Sequence, residues 1–232
     1  LMNFCWSNPD AVAEFIRNVE SFVARWPQLK MLYMVGIDGG GICQCPNCQA
    51  RGASDLIVDV FNRLTDRLTT AAPEVIVETV IGYGLLEKPP REARPNGMWR
   101  GLYAHWGRNH RQSYGDADYA MRANIETWTK LFPHYTVCSY YAAGSHQPFN
   151  SPPFLHAIEG DVKYLVQRGA SGHLTLQYPH GFWWNFSFNL AAAGQYSYYY
   201  PERRPREQLK DYAMTYFGAD AGPIVDEYLA GL

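Results

Sequence analysis

Short apolar runs alternate with longer stretches of helical spacing along this chain, and that alternation limits it to a sheet built by crossover connections. After the turn Ser7-Asn8-Pro9, the residues Val12, Phe15, Ile16, Val19, Phe22, Val23 and Trp26 recur at the spacing of one buried helical face. Asn8 is placed to cap that helix with Pro9 in its first turn, and Pro27 stops it. Residues 30–37 then read as an apolar strand buried on both faces, as in a parallel sheet. Ser54 is expected to cap a second helix carrying Ile57, Phe61, Leu64 and Leu68, and a strand at 75–81 follows. A Pro-rich loop at 85–97 takes the place of the next helix. Strands at 98–104, 135–140 and 173–177 alternate with helices at 117–131 and 153–167, the latter with Ser151 as its cap. Helical stretches at 186–198, 205–217 and 222–229 end the chain.

That makes five strands, with a sixth at 1–5. A closed eight-stranded barrel typically takes about 250 residues. The 232 residues therefore read as an α/β, (β/α)8 TIM-barrel-like fold in incomplete form: the last five or six β/α units plus extra C-terminal helices, one domain over 1–232 cut from a longer protein. An open doubly wound sheet is the alternative. Against it, Gly39-Gly40-Gly41 leads into cysteines and not into the helix of a dinucleotide turn.

Charge narrows the partners. Lys and Arg number 20 against 22 Asp and Glu, which leaves no basic field for a phosphate backbone, so nucleic acid is not expected. No run of about 18 apolar residues is present, so no membrane-spanning helix is expected. The opening residues show neither a basic start nor a long apolar stretch, so no secretory signal is read. Only 18% of residues are charged while tyrosines number 17, so amphipathic aromatics carry much of the polarity, a composition suited to gripping a flat-faced ligand.

In barrels of this kind ligands bind at the carboxyl ends of the strands. Those positions hold Asp38, Tyr83, His105, Trp106, Tyr140, Tyr141, Gln177, Tyr178, His180 and Trp183. A sugar offers an apolar face and a rim of hydroxyls, which rings edged by Gln and His suit, so an oligosaccharide or polysaccharide is the expected ligand. Asp38 ends an apolar strand and precedes three glycines, a place from which its carboxyl could act as general acid. Glycoside hydrolysis needs a second carboxylate roughly 5 to 9.5 Å away, and Glu87 in the long loop is the candidate. Glu78 lies inside a strand and reads as a structural ion pair or a hydrogen bond in the barrel interior, while Asp116 and Asp118 read as caps. The reaction itself calls for no cofactor.

Cys43, Cys45 and Cys48 form C-x-C-x-x-C just after the glycines, a spacing that can wrap three thiolates around one ion. Cys5 follows the preceding strand and could supply a fourth. A structural zinc, one or two disulfides, or free thiols all fit the pattern. Cys138 lies within a strand and reads as a buried apolar residue.

Several segments together resemble a bacterial family of unknown function. They are Cys5-Trp6-Ser7-Asn8-Pro9, Asp38-Gly39-Gly40-Gly41 with Cys43, Cys45 and Cys48, Tyr83 with Glu87-Lys88-Pro89-Pro90, and Trp128-Thr129-Lys130-Leu131. Its members are similar to glycoside hydrolase barrels related to alpha-glucuronidases and beta-hexosaminidases. The resemblance implies a barrel that binds or acts on complex carbohydrate as one module of a larger exported protein, with other domains of the same parent chain as partners. It places Asp38 as the acid. Ser139 and Gln177 stand where the family pattern implies acidic residues, so the resemblance supports a sugar site more firmly than turnover. The rival reading is a non-catalytic carbohydrate-binding module with a structural cysteine cluster.

Overall fold

A computed structural model describes residues 3–36, 41–142, 153–177 and 187–231. The chain packs as two compact units, Leu1–His105 with Ala123–Thr136, and Trp106–Arg122 with Val137–Leu232. Among the described residues five strands follow the order β1-β2-β3-β4-β5, which is chain order. A doubly wound sheet reverses its order at a switch point and a barrel does not, so the order favours the barrel-like reading over the open alternative.

The first unit opens with α1 (Pro9–Arg25), whose Asn8 cap accepts hydrogen bonds from the N–H groups of Asp10 and Ala11 at 2.9 and 3.1 Å. Such a cap contributes about 1 kcal/mol. Val12, Ile16 and Val23 are buried. β1 (Met31–Met34) is followed by α2 (Pro46–Arg51), α3 (Ala53–Ala71), β2 (Ile76–Ile81), a short 3-10 turn (Gly84–Leu86), β3 (Trp99–Tyr103) and α4 (Arg122–Lys130). β1 pairs with β2 and β2 with β3, both in parallel. Register places Leu32, Val77 and Trp99 in one row, and Phe61 of α3 packs on Trp99 with ring centroids 5.2 Å apart. The adjoining row, Tyr33, Glu78 and Arg100, must face the other way because side chains alternate along a strand.

Expectation and structure part at several points. β1 is not buried on both faces: Met31 and Tyr33 are 44% and 48% exposed, because among the described residues β1 ends the strand order. Residues 3–5 form no strand. Ser54 does not cap α3. It lies in the first turn, where its hydroxyl donates to the Lys88 carbonyl. The Pro-rich loop is held by α3 instead: the Asp55 carboxylate accepts the N–H groups of Arg91, Glu92 and Ala93 at 3.0, 2.8 and 2.7 Å. Gly82 turns the chain at the end of β2 with φ 73°, where a Cβ would stand 2.4 Å from the Tyr103 ring.

The second unit contains β4 (Tyr135–Ala142), most of which belongs to it, α5 (Leu155–Gln167), β5 (Gly172–Gln177), α6 (Ser187–Tyr199) and α7 (Pro205–Ala230). The two last expected helices are one element broken at Gly218, whose φ is 74°. Tyr141, Ala157, Ile158, Val162, Ala192, Ala193 and Tyr196 form its core. α4 begins later than expected because 116–122 run through two turns, in which the N–H groups of Tyr119 and Arg122 donate to the carbonyls of Asp116 and Tyr119 at 3.1 and 3.0 Å; just before them the Asp116 carboxylate accepts the N–H and hydroxyl of Ser113 at 2.9 and 2.8 Å. Arg108 and Asp161 form a fully buried ion pair that ties the segment before these turns to α5.

Candidate metal centre and ligand cavity

Four sulfurs converge in the first unit. Cys5 lies just before α1, Cys43 in the segment before α2, Cys45 at the α2 cap position and Cys48 in its first turn, where residues three apart share a face. The four Sγ atoms lie within 4.8 Å of one another, and Cys5 Sγ is 3.7 Å from both Cys45 Sγ and Cys48 Sγ. A disulfide brings sulfurs to about 2.05 Å. All five cysteines are thiols here. Four sulfurs about 2.3 Å from one tetrahedral ion stand about 3.8 Å apart, close to the separations seen.

The sequence reading missed Ser7. Its hydroxyl accepts from Cys48 Sγ at 3.1 Å and lies 3.4 Å from the sulfurs of Cys5 and Cys45. That hydroxyl favours thiolate at both neighbours, taking Cys45 down to about 6 and lowering Cys5. The Cys45 backbone N–H favours the Cys43 thiolate, but the adjacent sulfurs and burial push Cys43 up to about 11. Burial raises Cys48. Crowded thiolates oppose one another's ionisation, and a cation held between them removes the conflict.

Beside this centre lies a cavity of about 240 Å³ at the carboxyl ends of β1 and β2, lined by Phe4, Trp6, Phe15, Met34, Tyr83 and Leu86 among others. Its aromatic wall is one cluster: the Phe4 ring is 4.1 Å from Trp6 and 5.2 Å from Phe15 between centroids. Trp6 is buried, and its Nε1–H finds no acceptor among the described residues. Sequence reasoning singled out only Tyr83 here. Phe15 carries the spacing of a helix core, and nothing in the spacing of Trp6 marks it as a ligand contact.

The remaining candidates are spread over both units. Asp38, Tyr178, His180 and Trp183 lie outside the described residues, and Gln177 ends β5. Glu87 is exposed, while its backbone carbonyl accepts from Asn124 Nδ2 at 2.9 Å and Trp128 Nε1 at 3.3 Å. His105 is half-buried after β3. Trp106 and Tyr140 meet edge to face with centroids 4.8 Å apart. Tyr141 is fully buried and shares a hydrogen bond with the Asp161 carboxylate, which makes it a core residue. Glu78 accepts from Thr136 Oγ1 at 3.1 Å, and burial raises its carboxyl. Cys138 is buried as expected, which pushes its thiol up to about 11. Among the described residues no helix is long and apolar enough to cross a membrane.

No curated protein and no solved structure matches the chain. A family model matches residues 2–230, nearly end to end, and by that match the chain belongs to the family described as domain of unknown function DUF4838.

Proposed function

We propose that this chain is a glycoside-hydrolase-like, TIM-barrel-type module that binds complex carbohydrate, with one zinc ion held by Cys5, Cys43, Cys45 and Cys48 as a structural staple. The observation that carries the zinc assignment is the spacing of the sulfurs: 3.7 Å between Cys5 and two partners suits one tetrahedral ion. A cluster of several irons and sulfides would spread its thiolates wider than the 4.8 Å found here. With four protein ligands such an ion keeps no open position for water, so its role is to fold the loop and not to hydrolyse. The carbohydrate assignment is supported by the aromatic-walled cavity at the carboxyl ends of β1 and β2, with Tyr83 in its lining. The module's place in an exported parent protein belongs to the same proposal.

Binding without turnover is the second reading, and the exposed carboxylate of Glu87 favours it, since a catalytic acid or base works in a shielded site. Zinc is tested by titrating the reduced chain with Zn²⁺. One ion per chain with four sulfurs near 2.3 Å by X-ray absorption is expected, and a substoichiometric or nitrogen- and oxygen-rich shell would refute it. A glycan array probed with the chain and with Asp38→Asn tests the rest. Retained binding with lost hydrolysis supports the enzyme, retained binding with no hydrolysis in either supports the binding module, and an array silent for both removes carbohydrate altogether.

A further inference from the structure

Ser7 meets three of the four converging sulfurs. Its Oγ is 3.1 Å from Cys48 Sγ and 3.4 Å from the sulfurs of Cys5 and Cys45. The backbone around it is fixed twice: the Asn8 N–H donates to the Cys5 carbonyl at 3.0 Å, which closes a turn over 5–8, and the Asn8 side chain caps α1. Four thiolates around one divalent ion leave a net negative charge, which hydrogen-bond donors to sulfur must offset. Water can reach Cys5, Cys43 and Cys45, which are partly exposed, but Cys48 is fully buried and depends on donors from the protein. Burial works against a charge on Cys48, and the Ser7 hydroxyl and N–H both favour it.

The oxygen is a neighbour of the metal position and not a ligand. Sulfurs about 2.3 Å from one ion make a tetrahedron with edges of about 3.8 Å, whose centre stands about 0.8 Å behind any face and whose fourth corner about 3.1 Å behind it. An atom 3.1 Å from the Cys48 sulfur and 3.4 Å from those of Cys5 and Cys45 lies about 2.4 Å off the face they share. On the inner side it would overlap the fourth sulfur, that of Cys43. Ser7 Oγ therefore stands outside that face, about 3.2 Å from the ion and beyond the roughly 2.0–2.2 Å of a zinc–oxygen bond.

We infer that Ser7 is the positioning residue of the four-cysteine centre, its hydroxyl donating to the buried Cys48 sulfur when the ion is held, an inference that rests on the zinc reading above. In the thiol form Cys48 is the donor of this 3.1 Å contact. Zinc displaces the thiol proton, so the direction reverses and the serine O–H donates to the thiolate.

The Zn²⁺ affinity of the reduced chain, measured by competition with a chelator, should fall about tenfold or more in Ser7→Ala. Ser7→Thr keeps the hydroxyl and should recover the loss, whereas Ser7→Val has the shape of Thr without the hydroxyl and should not. Asn8 stays in every variant, so α1 keeps its cap and the helical circular dichroism should be unchanged. Co²⁺ in place of zinc gives a readout that a merely structural role would not move. A hydrogen bond lowers the energy of the sulfur lone pair, so the sulfur-to-cobalt charge-transfer band should shift to longer wavelength in Ser7→Ala and Ser7→Val and return in Ser7→Thr. Unchanged zinc affinity in Ser7→Ala, a cobalt band that does not move, or recovery by Val as full as by Thr would overturn the role of Ser7 while zinc binding stands. A wild-type chain that takes up no ion would remove the zinc reading and this inference with it.

Discussion

Replacing Asp161 with Asn should be among the most damaging single changes in the second unit. The Asp161 side chain has no exposure and that of Arg108 only 1%. Its carboxylate takes both guanidinium Nη atoms, one at 2.7 Å, the Tyr114 N–H at 2.6 Å and the Tyr141 hydroxyl. The Arg108 guanidinium also sits 3.9 Å above the Tyr114 ring. Asp161→Asn leaves a buried cation without its counter-charge, a loss of about 3–5 kcal/mol. For a chain of this size about 2–4 °C accompanies each kcal/mol, so Tm should fall by roughly 10 °C. Urea unfolding followed by far-UV circular dichroism, with calorimetry alongside, measures it. Arg108→Met combined with Asp161→Asn removes the stranded cation while the Asn oxygen still accepts from Tyr114, so the double variant should recover at least half of the loss. A cost for Asp161→Asn below about 1 kcal/mol, the range of exposed pairs, would refute the buried-pair argument. So would a double variant no more stable than the single one.

Three further outcomes follow from the geometry. Gly82→Ala would place a side chain at φ 73° and 2.4 Å from the Tyr103 ring, so it should destabilise by about 1–3 kcal/mol in the same unfolding assay. At Asp55 burial works against the charge, but three backbone N–H groups hold the carboxyl below its ordinary range; at Asp116, His156 and Ser113 outweigh burial and take it to about 2. The folded chain thus keeps both charges where the unfolded chain protonates. Their stabilisation is complete above the ordinary carboxylate range, near pH 4, and is lost as pH falls through the lowered values. Asp55→Asn should flatten that acid limb in a pH series of urea midpoints. Burial raises Glu78 instead, so its folded form holds a proton that the unfolded form releases, and stability falls as pH rises from the ordinary glutamate range through the raised value. Glu78→Gln keeps an acceptor for Thr136 and should raise the urea midpoint at neutral pH, and a lowered midpoint would count against a burial cost at Glu78.

How much of this was readable in advance depended on how local each cause is. Asn8 and Pro9 specify the start of α1 within three residues, and the structure begins that helix at Pro9. Burial of β1 is not local: its apolar run is the same whether or not a neighbour covers Met31 and Tyr33, and only the strand order decides. α2 has six residues and one buried side chain, too short a stretch for periodicity to register. The C-x-C-x-x-C spacing announced three of the converging sulfurs. Ser7 carried no comparable signal, because its hydroxyl meets Cys45 and Cys48 only once the chain returns about 40 residues later.

The pair Tyr140 and Tyr141 shows where reading by position stops. Both sit near the end of β4, and position alone marks both as ligand contacts. Successive side chains of a strand point to opposite faces, so two adjacent tyrosines cannot both look toward the same ligand. In the fold Tyr141 turns inward, beside Ile158 and Ala192 in the core and bonded to Asp161, whereas Tyr140 is half-buried against Trp106. The alternation alone says that one of the two is core. Which one follows from α5, because Asp161 is the acceptor that lets a tyrosine hydroxyl be buried at all. A strand-end aromatic is thus a ligand candidate only after the neighbouring helix has been asked for a buried partner, and the Tyr141 hydroxyl has one.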